Sequence, residues 1–236
     1  MQDQREEKIP FYIVPTPIGN LEDITQRALR VLSEVDAILC EDTRHTGKLL
    51  KHFHIENKLM SYHAHSSQEK ENAILEQIGK GMQYAMVSDA GTPTISDPGA
   101  KLIHRIHEVY GNQVDIIPLP GATALIPAIA ASGFKGNQFT FYGFFPQKKG
   151  RKKLLEEIFS SSRIAVFYES PHRIEKLLHM IQEYFPQEYE EKNIFVAREL
   201  TKKFEEKIRG TVREVHQYFL DYPEKVRGEF VIVIDA

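Results

Sequence analysis

The sequence predicts an α/β protein made of two α/β domains: an N-terminal one with a mostly parallel five-stranded sheet, and a C-terminal one with a mixed sheet. Three observations carry this. Short apolar runs alternate five times with segments of helical period before residue 120, the pattern of a parallel sheet covered by helices. The break Pro118-Leu119-Pro120-Gly121 interrupts that pattern. Beyond it, strand-like runs near residues 195 and 206 follow each other with no helix between them, so they can pair antiparallel. The predicted domains are residues 1–119 and 120–236, with a cleft between them. The 236 residues suffice for two small domains or one large one.

Taken in order, Phe11 to Val14 is a buried strand that stops at Pro15-Thr16-Pro17-Ile18-Gly19-Asn20. Asp23 and Gln26 suit a helix start, and Ile24, Ala28, Val31, Leu32 and Val35 recur at helical spacing. Ala37 to Cys40 is the second strand and runs into Glu41-Asp42-Thr43-Arg44-His45. A short helix carries Leu49, Leu50 and Phe53, and Leu59 to Tyr62 is the third strand. Ser66 with Glu69 reads as a capping box for a helix closed by Gly81. Tyr84 to Val87 is the fourth strand. The loop Ser88 to Gly99 follows it, with Asp97 as N-cap and Pro98 as first residue of a helix whose Ile103, Ile106 and Val109 face inward. Val114 to Leu119 is the fifth strand.

In the second half the apolar segment Ala122 to Ala131 reads as a buried helix. Strands are expected at 138–144, 164–168, 194–197, 204–209 and 230–234, and helices at 152–159, 171–185 and 212–220. Thr211 with Glu214 is a further capping box.

Composition narrows the function. Hydrophobic residues at 42% and charged residues at 27% are ordinary globular values. One cysteine, Cys40, leaves no disulfide framework and no Cys-rich zinc site. No apolar run nears the ~20 residues of a membrane span, and the charged start MQDQREEKIP lacks a secretory core. A soluble cytoplasmic protein is expected. The net charge of −3 does not announce a nucleic-acid binder, but QKKGRKK at 147–153 is locally basic and follows the aromatic run 139–145. No GxxxxGKS/T and no GxSxG occurs. His63 with His65, and His104 with His107, lack nearby Cys or paired carboxylates, so no metal site is expected.

Five polar loops follow strands: 15–20, 41–45, 88–99, 120–123 and 169–173. Parallel topology gathers such loops at the carboxyl edge of a sheet, where ligands bind. The twelve residues of 88–99 exceed the ~2–6 of an ordinary strand-to-helix connection. Backbone and carboxylates (Asp42, Asp89, Asp97) dominate these loops. They suit a neutral or cationic ligand better than a polyphosphate.

At these loops the sequence resembles the small-subunit ribosomal RNA methyltransferase I family of the tetrapyrrole methylase superfamily. The matching blocks are VPTPIGNLEDITQRAL (14–29), EDTRHTGKLL (41–50), SDAGTPTISDPG (88–99), PLPGATALIPAIAASG (118–133), FYESPHRI (167–174), ARELTKKFEEKIRGT (197–211) and GEFVIVI (228–234). The resemblance implies transfer of a methyl group from S-adenosylmethionine to a cytidine ribose 2′-hydroxyl of 16S rRNA. It also implies a homodimer and a cofactor held in the interdomain cleft of a tetrapyrrole-methylase-like fold. By position it implies cofactor contacts from Pro15, Thr16, Pro17, Ser88, Asp89, Ala90, Gly91, Thr123, Ala124, Tyr168, Glu169, Gly228, Glu229 and Phe230. Many family members continue past the GEFV block with a small C-terminal domain. This sequence stops at Ala236, so RNA contacts made by that domain are expected to be missing.

For the chemistry, a ribose oxygen must be held in line with the donor methyl at about 3–3.5 Å, and its proton needs an acceptor. Asp42, Arg44, His45 and Glu169 are the candidate catalytic residues, with Asp89 and His172 as further candidate bases. Lys148, Lys149, Arg151, Arg173 and Arg198 are candidate RNA-phosphate contacts. Two rivals stand beside this reading. A tetrapyrrole methyltransferase would methylate a porphyrinoid. A non-catalytic ribosome-assembly protein would bind RNA but not the cofactor.

Overall fold

The computed structural model describes residues 8–96 and 99–236. Asp97 and Pro98, the expected start of the fourth helix, lie outside the described residues. The chain forms two compact units that divide after Thr123. The division falls past Pro120 because the intervening segment is tied to the first unit: Leu119 N–H donates to Ile13 O at 2.9 Å, and the Thr92 hydroxyl donates to Ala122 O at 3.0 Å.

In the first unit β1 (Ile9–Ile13), β2 (Ala37–Cys40), β3 (Leu59–Ser61), β4 (Tyr84–Met86) and β5 (Val114–Pro118) form one sheet in the order β3-β2-β4-β1-β5. Every pairing is parallel. The connections carry α1 (Gln26–Glu34), α2 (Thr43–His52), α3 (Gln68–Gly79) and α4 (Ala100–Tyr110). Alternating strand residues feed opposite faces. Phe11, Leu39, Tyr84 and Met86 pack with Ile74, Ile78, Leu102 and Ile106 from α3 and α4. Ile38, Cys40 and Ala85 pack with Ala28, Val31 and Leu32 from α1. Burial on both faces explains why these strands read as unbroken apolar runs. Truncating a central residue such as the fully buried Ile38 to Ala would remove about 2–5 kcal/mol.

Two helix starts differ from the expected ones. Thr25, not Asp23, caps α1: its side chain accepts from Ala28 N at 3.0 Å, and Asp23 belongs to a short 3-10 turn capped by Asn20. Ser67, not Ser66, caps α3, because the Ser66 hydroxyl already accepts from His63 N at 3.0 Å. On α4 Val109 is exposed and Leu102 takes the inward place.

The second unit contains α5 (Leu125–Ser132), β6 (Phe139–Phe144), α6 (Arg151–Ser160), β7 (Ile164–Glu169), α7 (Pro171–Tyr184), α8 (Pro186–Glu191), β8 (Asn193–Arg198), β9 (Glu206–Thr211), α9 (Val212–Asp221) and β10 (Phe230–Ile234). Its sheet has the order β6-β7-β10-β8-β9. Only β6 and β7 are parallel, so the sheet is mixed. The expected β8–β9 pairing forms, with β9 two residues later than its pattern suggested. The Thr211–Glu214 capping box starts α9. Ala165, Phe167, Ile194, Val196, Phe230, Ile232 and Ile234 form the core with residues of α6, α7 and α9. The α5 helix is not buried throughout. Ala128 and Ser132 face the sheet, and Ile126 is 50% exposed. Eight residues lying on a sheet can cover only one side of the helix.

Candidate active site

The first unit gathers the expected loops at the carboxyl edge of its sheet. Thr16 and Gly91 exchange backbone hydrogen bonds of 2.9 Å in both directions, joining the loops after β1 and β4. The Thr16 hydroxyl donates to Ser88 O at 3.0 Å, and the Ser88 hydroxyl donates to Gly91 O at 3.2 Å. Asp42 N–H donates to Asp89 Oδ1 at 3.3 Å, bringing in the loop after β2. Gly121 from the loop after β5 lies so close to Pro15 that a Cβ would sit 2.7 Å from the proline ring. Gly91 has φ +82°, and a Cβ there would meet Ile18 Cγ2 at 3.4 Å. Pro15, Thr16, Pro17, Ser88, Asp89, Ala90 and Gly91 thus form one constellation with Asp42, while Thr123 lies two residues past Gly121 on the same connection.

The candidate catalytic residues separate here. Asp42 is the N-cap of α2, accepting from Arg44 N at 2.8 Å and pairing with the Arg44 guanidinium at 2.7 Å. Those bonds hold its carboxyl well below the usual carboxylate range and raise the Arg44 pKa in return. Asp42 therefore serves as the cap of α2 and as the partner of Arg44. His45 is exposed in the first turn of α2. His172, at the start of α7, is also exposed.

In the second unit one register line crosses four strands. Glu169 on β7 pairs with Phe230 on β10, Phe230 with Arg198 on β8, and Arg198 with Glu206 on β9. The sheet end holding Tyr168 and Glu169 therefore also holds Gly228, Glu229 and Phe230. Gly228 has φ +89°, and a Cβ there would stand 2.6 Å from the Glu199 side chain. Glu199 Oε1 accepts from Glu229 N at 2.8 Å, and Lys202 bridges the Glu199 and Glu229 carboxylates. Tyr168 packs edge-on against Phe141 and Phe144. Glu169 turns away from this aromatic group. Its side chain is fully buried, and Oε1 accepts from Arg173 Nε at 2.8 Å and Ser170 N at 2.7 Å. So placed, it cannot reach a substrate proton.

The expected RNA cations also separate. Lys148 and Lys149 are exposed. The Arg198 side chain is 4% exposed and pairs with Glu206 at 3.0 Å, so it presents no charge to a phosphate. Arg173 is tied to Glu169. Arg151 is buried at the start of α6, where burial lowers its pKa while the Glu169 carboxylate pulls the other way. Charge counting along the sequence cannot separate inward from outward cations. Gly121 and Thr92 fall within the loops 120–123 and 88–99 already singled out, but their packing partners, Pro15 and Ala122, carry no sequence signal.

Among the described residues no group of three or more His, Cys, Asp or Glu side chains is placed to hold a metal ion. Among them, too, no helix is long and apolar enough to cross a membrane.

Comparison with known proteins places this geometry. The family of Tetrapyrrole (Corrin/Porphyrin) Methylases matches residues 10–216. Similar folds occur in a diphthine synthase (TM-score 0.67, 12% identity, 96% of this chain and 90% of that one) and a cobalt precorrin-4 methyltransferase (TM-score 0.65, 17% identity, 100% and 98%). At the sequence level the chain is 44% identical over 227 residues to the ribosomal RNA small subunit methyltransferase I of Haemophilus influenzae, covering 96% of this chain and 78% of that protein. It is 45% identical to the protein of the same name from Bacillus subtilis, covering 96% and 75%. The fold is that of the tetrapyrrole methylases, a class of methyl-transferring enzymes that requires a methyl donor. Within that class, the chain belongs to the ribosomal RNA small subunit methyltransferase I family.

Proposed function

We propose that this protein transfers a methyl group from S-adenosylmethionine to the ribose 2′-hydroxyl of a cytidine in 16S rRNA of the small ribosomal subunit. The observation that carries this reading is the identity of 44% over 96% of the chain to relatives named for small-subunit ribosomal RNA methylation. The first-unit loops fit the donor. Their acidic side chains, Asp42 and Asp89, suit a cationic sulfonium ligand with hydroxyls to bind. When bound, S-adenosylmethionine supplies an electrophilic methyl group.

The chain's own residues bind, orient and deprotonate. The loops of Pro15–Pro17 and Ser88–Gly91 hold the donor, with Asp89 as acceptor. Thr123, Ala124, Tyr168 and Gly228–Phe230 are further proposed donor contacts. His45 takes the ribose proton, because histidine is the side chain suited to general-base work near neutrality and the carboxylates of Asp42 and Glu169 are both engaged. Arg44 orients the RNA beside it. Lys148 and Lys149 contact phosphate, with Phe144, 60% exposed, available for base stacking. We place the enzyme in the cytoplasm, with its substrate, as a homodimer. Light scattering at a mass of one chain would remove the dimer.

Calorimetry with S-adenosylhomocysteine tests the enzyme reading. Saturable heat supports it. No heat at millimolar ligand leaves a non-catalytic RNA-binding protein.

A further inference from the structure

The basic stretch 147–153 points in two directions. Lys148 and Lys149 face solvent, but the Arg151 side chain is only 9% exposed. Arg151 is the first residue of α6, whose N-cap, Gly150, offers no side-chain bond. A cation there opposes the helix dipole, so the helix does not account for it. Its surroundings do. The guanidinium lies 5.1 Å from the centre of the Phe145 ring. Nη1 donates to Pro146 O at 3.4 Å, and Nη2 stands 3.9 Å from Glu169 Oε2. Arg173 and Ser170 hold the other oxygen of that carboxylate. Phe145 N–H donates to Tyr168 O at 2.9 Å, and the Phe144 ring packs on Tyr168 with centroids 5.3 Å apart. The contacts form a closed circuit from Tyr168 through Glu169, Arg151 and Phe145 back to Tyr168.

We propose that Arg151 is a positioning residue: stacked on Phe145 and facing the Glu169 carboxylate opposite Arg173, it holds the loop bearing Lys148 and Lys149 in fixed register with Tyr168. The inference rests on the reading above, in which Tyr168 meets the donor and the two lysines meet RNA. It removes Arg151 from the phosphate contacts, because its Nε and Nη2 atoms are buried; neither they nor Glu169 Oε2 has a hydrogen-bond partner, so Arg151 meets the carboxylate by charge across 3.9 Å and is held mainly by the Phe145 ring and Pro146 O.

Arg151→Met keeps a long apolar stem against Phe145 and leaves Glu169 paired with Arg173. Exchanging a buried ion for an apolar side chain is often neutral in stability, so the variant should fold. Two quantities separate the roles: affinity for S-adenosylhomocysteine, and the slope of log affinity against log salt for a 16S rRNA fragment. Lys148→Ala and Lys149→Ala should each reduce that slope by about 0.7, one single-strand phosphate contact apiece. Arg151→Met should leave the slope at its wild-type value and weaken S-adenosylhomocysteine on the order of tenfold. Arg151→Lys, whose ammonium still faces Glu169, should recover part of that loss. If Arg151→Met flattens the slope and keeps the wild-type affinity, Arg151 is an RNA contact and the inference is wrong. If it changes neither quantity, the contact has no function and the inference is equally wrong. A wild-type protein that binds no S-adenosylhomocysteine overturns the methyltransferase reading itself, and the inference with it.

Discussion

The main-chain N–H of Asp42 donates to Oδ1 of Asp89 at 3.3 Å, across 47 positions of sequence. This bond joins the loops after β2 and β4 and sets the Asp89 carboxylate among the residues proposed to hold the donor. Asp89→Ala should weaken S-adenosylhomocysteine about tenfold and lower stability by about 1–2 kcal/mol. Asp89→Asn keeps an acceptor for Asp42 N–H, so it should recover the stability but not the full affinity. Calorimetry and thermal melts on the two variants check both halves.

The contact between Gly121 and Pro15 makes a second prediction. A methyl group at 121 would lie 2.7 Å from Pro15 Cβ and 3.0 Å from Cγ. A proline ring cannot rotate aside. Gly121→Ala should therefore displace the Pro15–Pro17 loop, destabilise by about 1–3 kcal/mol and reduce donor affinity. Urea unfolding with and without S-adenosylhomocysteine measures both. Unchanged affinity would remove that loop from the site.

His45 and Asp42 are neighbours on one helix start with different assigned work. His45→Ala should lower the methyl-transfer rate by about 10²–10⁴-fold and spare donor binding. Asp42→Asn loses charge from the helix cap and from the Arg44 pair, and should act mainly on stability. Single-turnover rates separate them. Equal losses of rate would return Asp42 to the chemistry.

Acid should destabilise the second unit through His216. Its ring is buried and bonds the Tyr189 hydroxyl at 3.0 Å. Burial, then the nearby His179, lowers its pKa, against a smaller opposing pull from Glu175. A histidine with a lowered folded-state pKa binds fewer protons folded than unfolded. The stability it confers is complete above the unfolded value of about 6.5 and is lost as pH falls from there toward the folded value. Melting temperature should drop from about pH 7 to about pH 5, and His216→Gln should shallow that drop. An unchanged profile would assign the acid sensitivity elsewhere.

The strands were legible because both faces of each central strand are buried, so Ala37–Cys40 and Phe230–Ile234 stand out as apolar runs at their observed bounds. In the first unit the loops after β1, β2 and β4 were legible as neighbours, because parallel topology gathers them at one edge of the sheet. Direction was not legible. Glu169, Arg151 and Arg198 read as surface chemistry, yet all three turn into the second unit, where Arg173, Phe145 and Glu206 receive them. Cap identity failed by a residue or two at Ser66 and Asp23, because the Ser66 hydroxyl accepts from His63 N in one case and Asp23 lies inside a 3-10 turn ahead of α1 in the other. The six-residue α8 is not legible as a separate helix because only Phe185 stands between it and α7.

Methyl transfer to purified 30S subunits, with the modified nucleotide mapped by mass spectrometry, tests the central claim most directly. The expected result is one methyl group on the ribose of a 16S rRNA cytidine, dependent on S-adenosylmethionine and abolished or greatly slowed by His45→Ala. A methyl group on a base, or transfer to a porphyrinoid with none to the subunit, would contradict it.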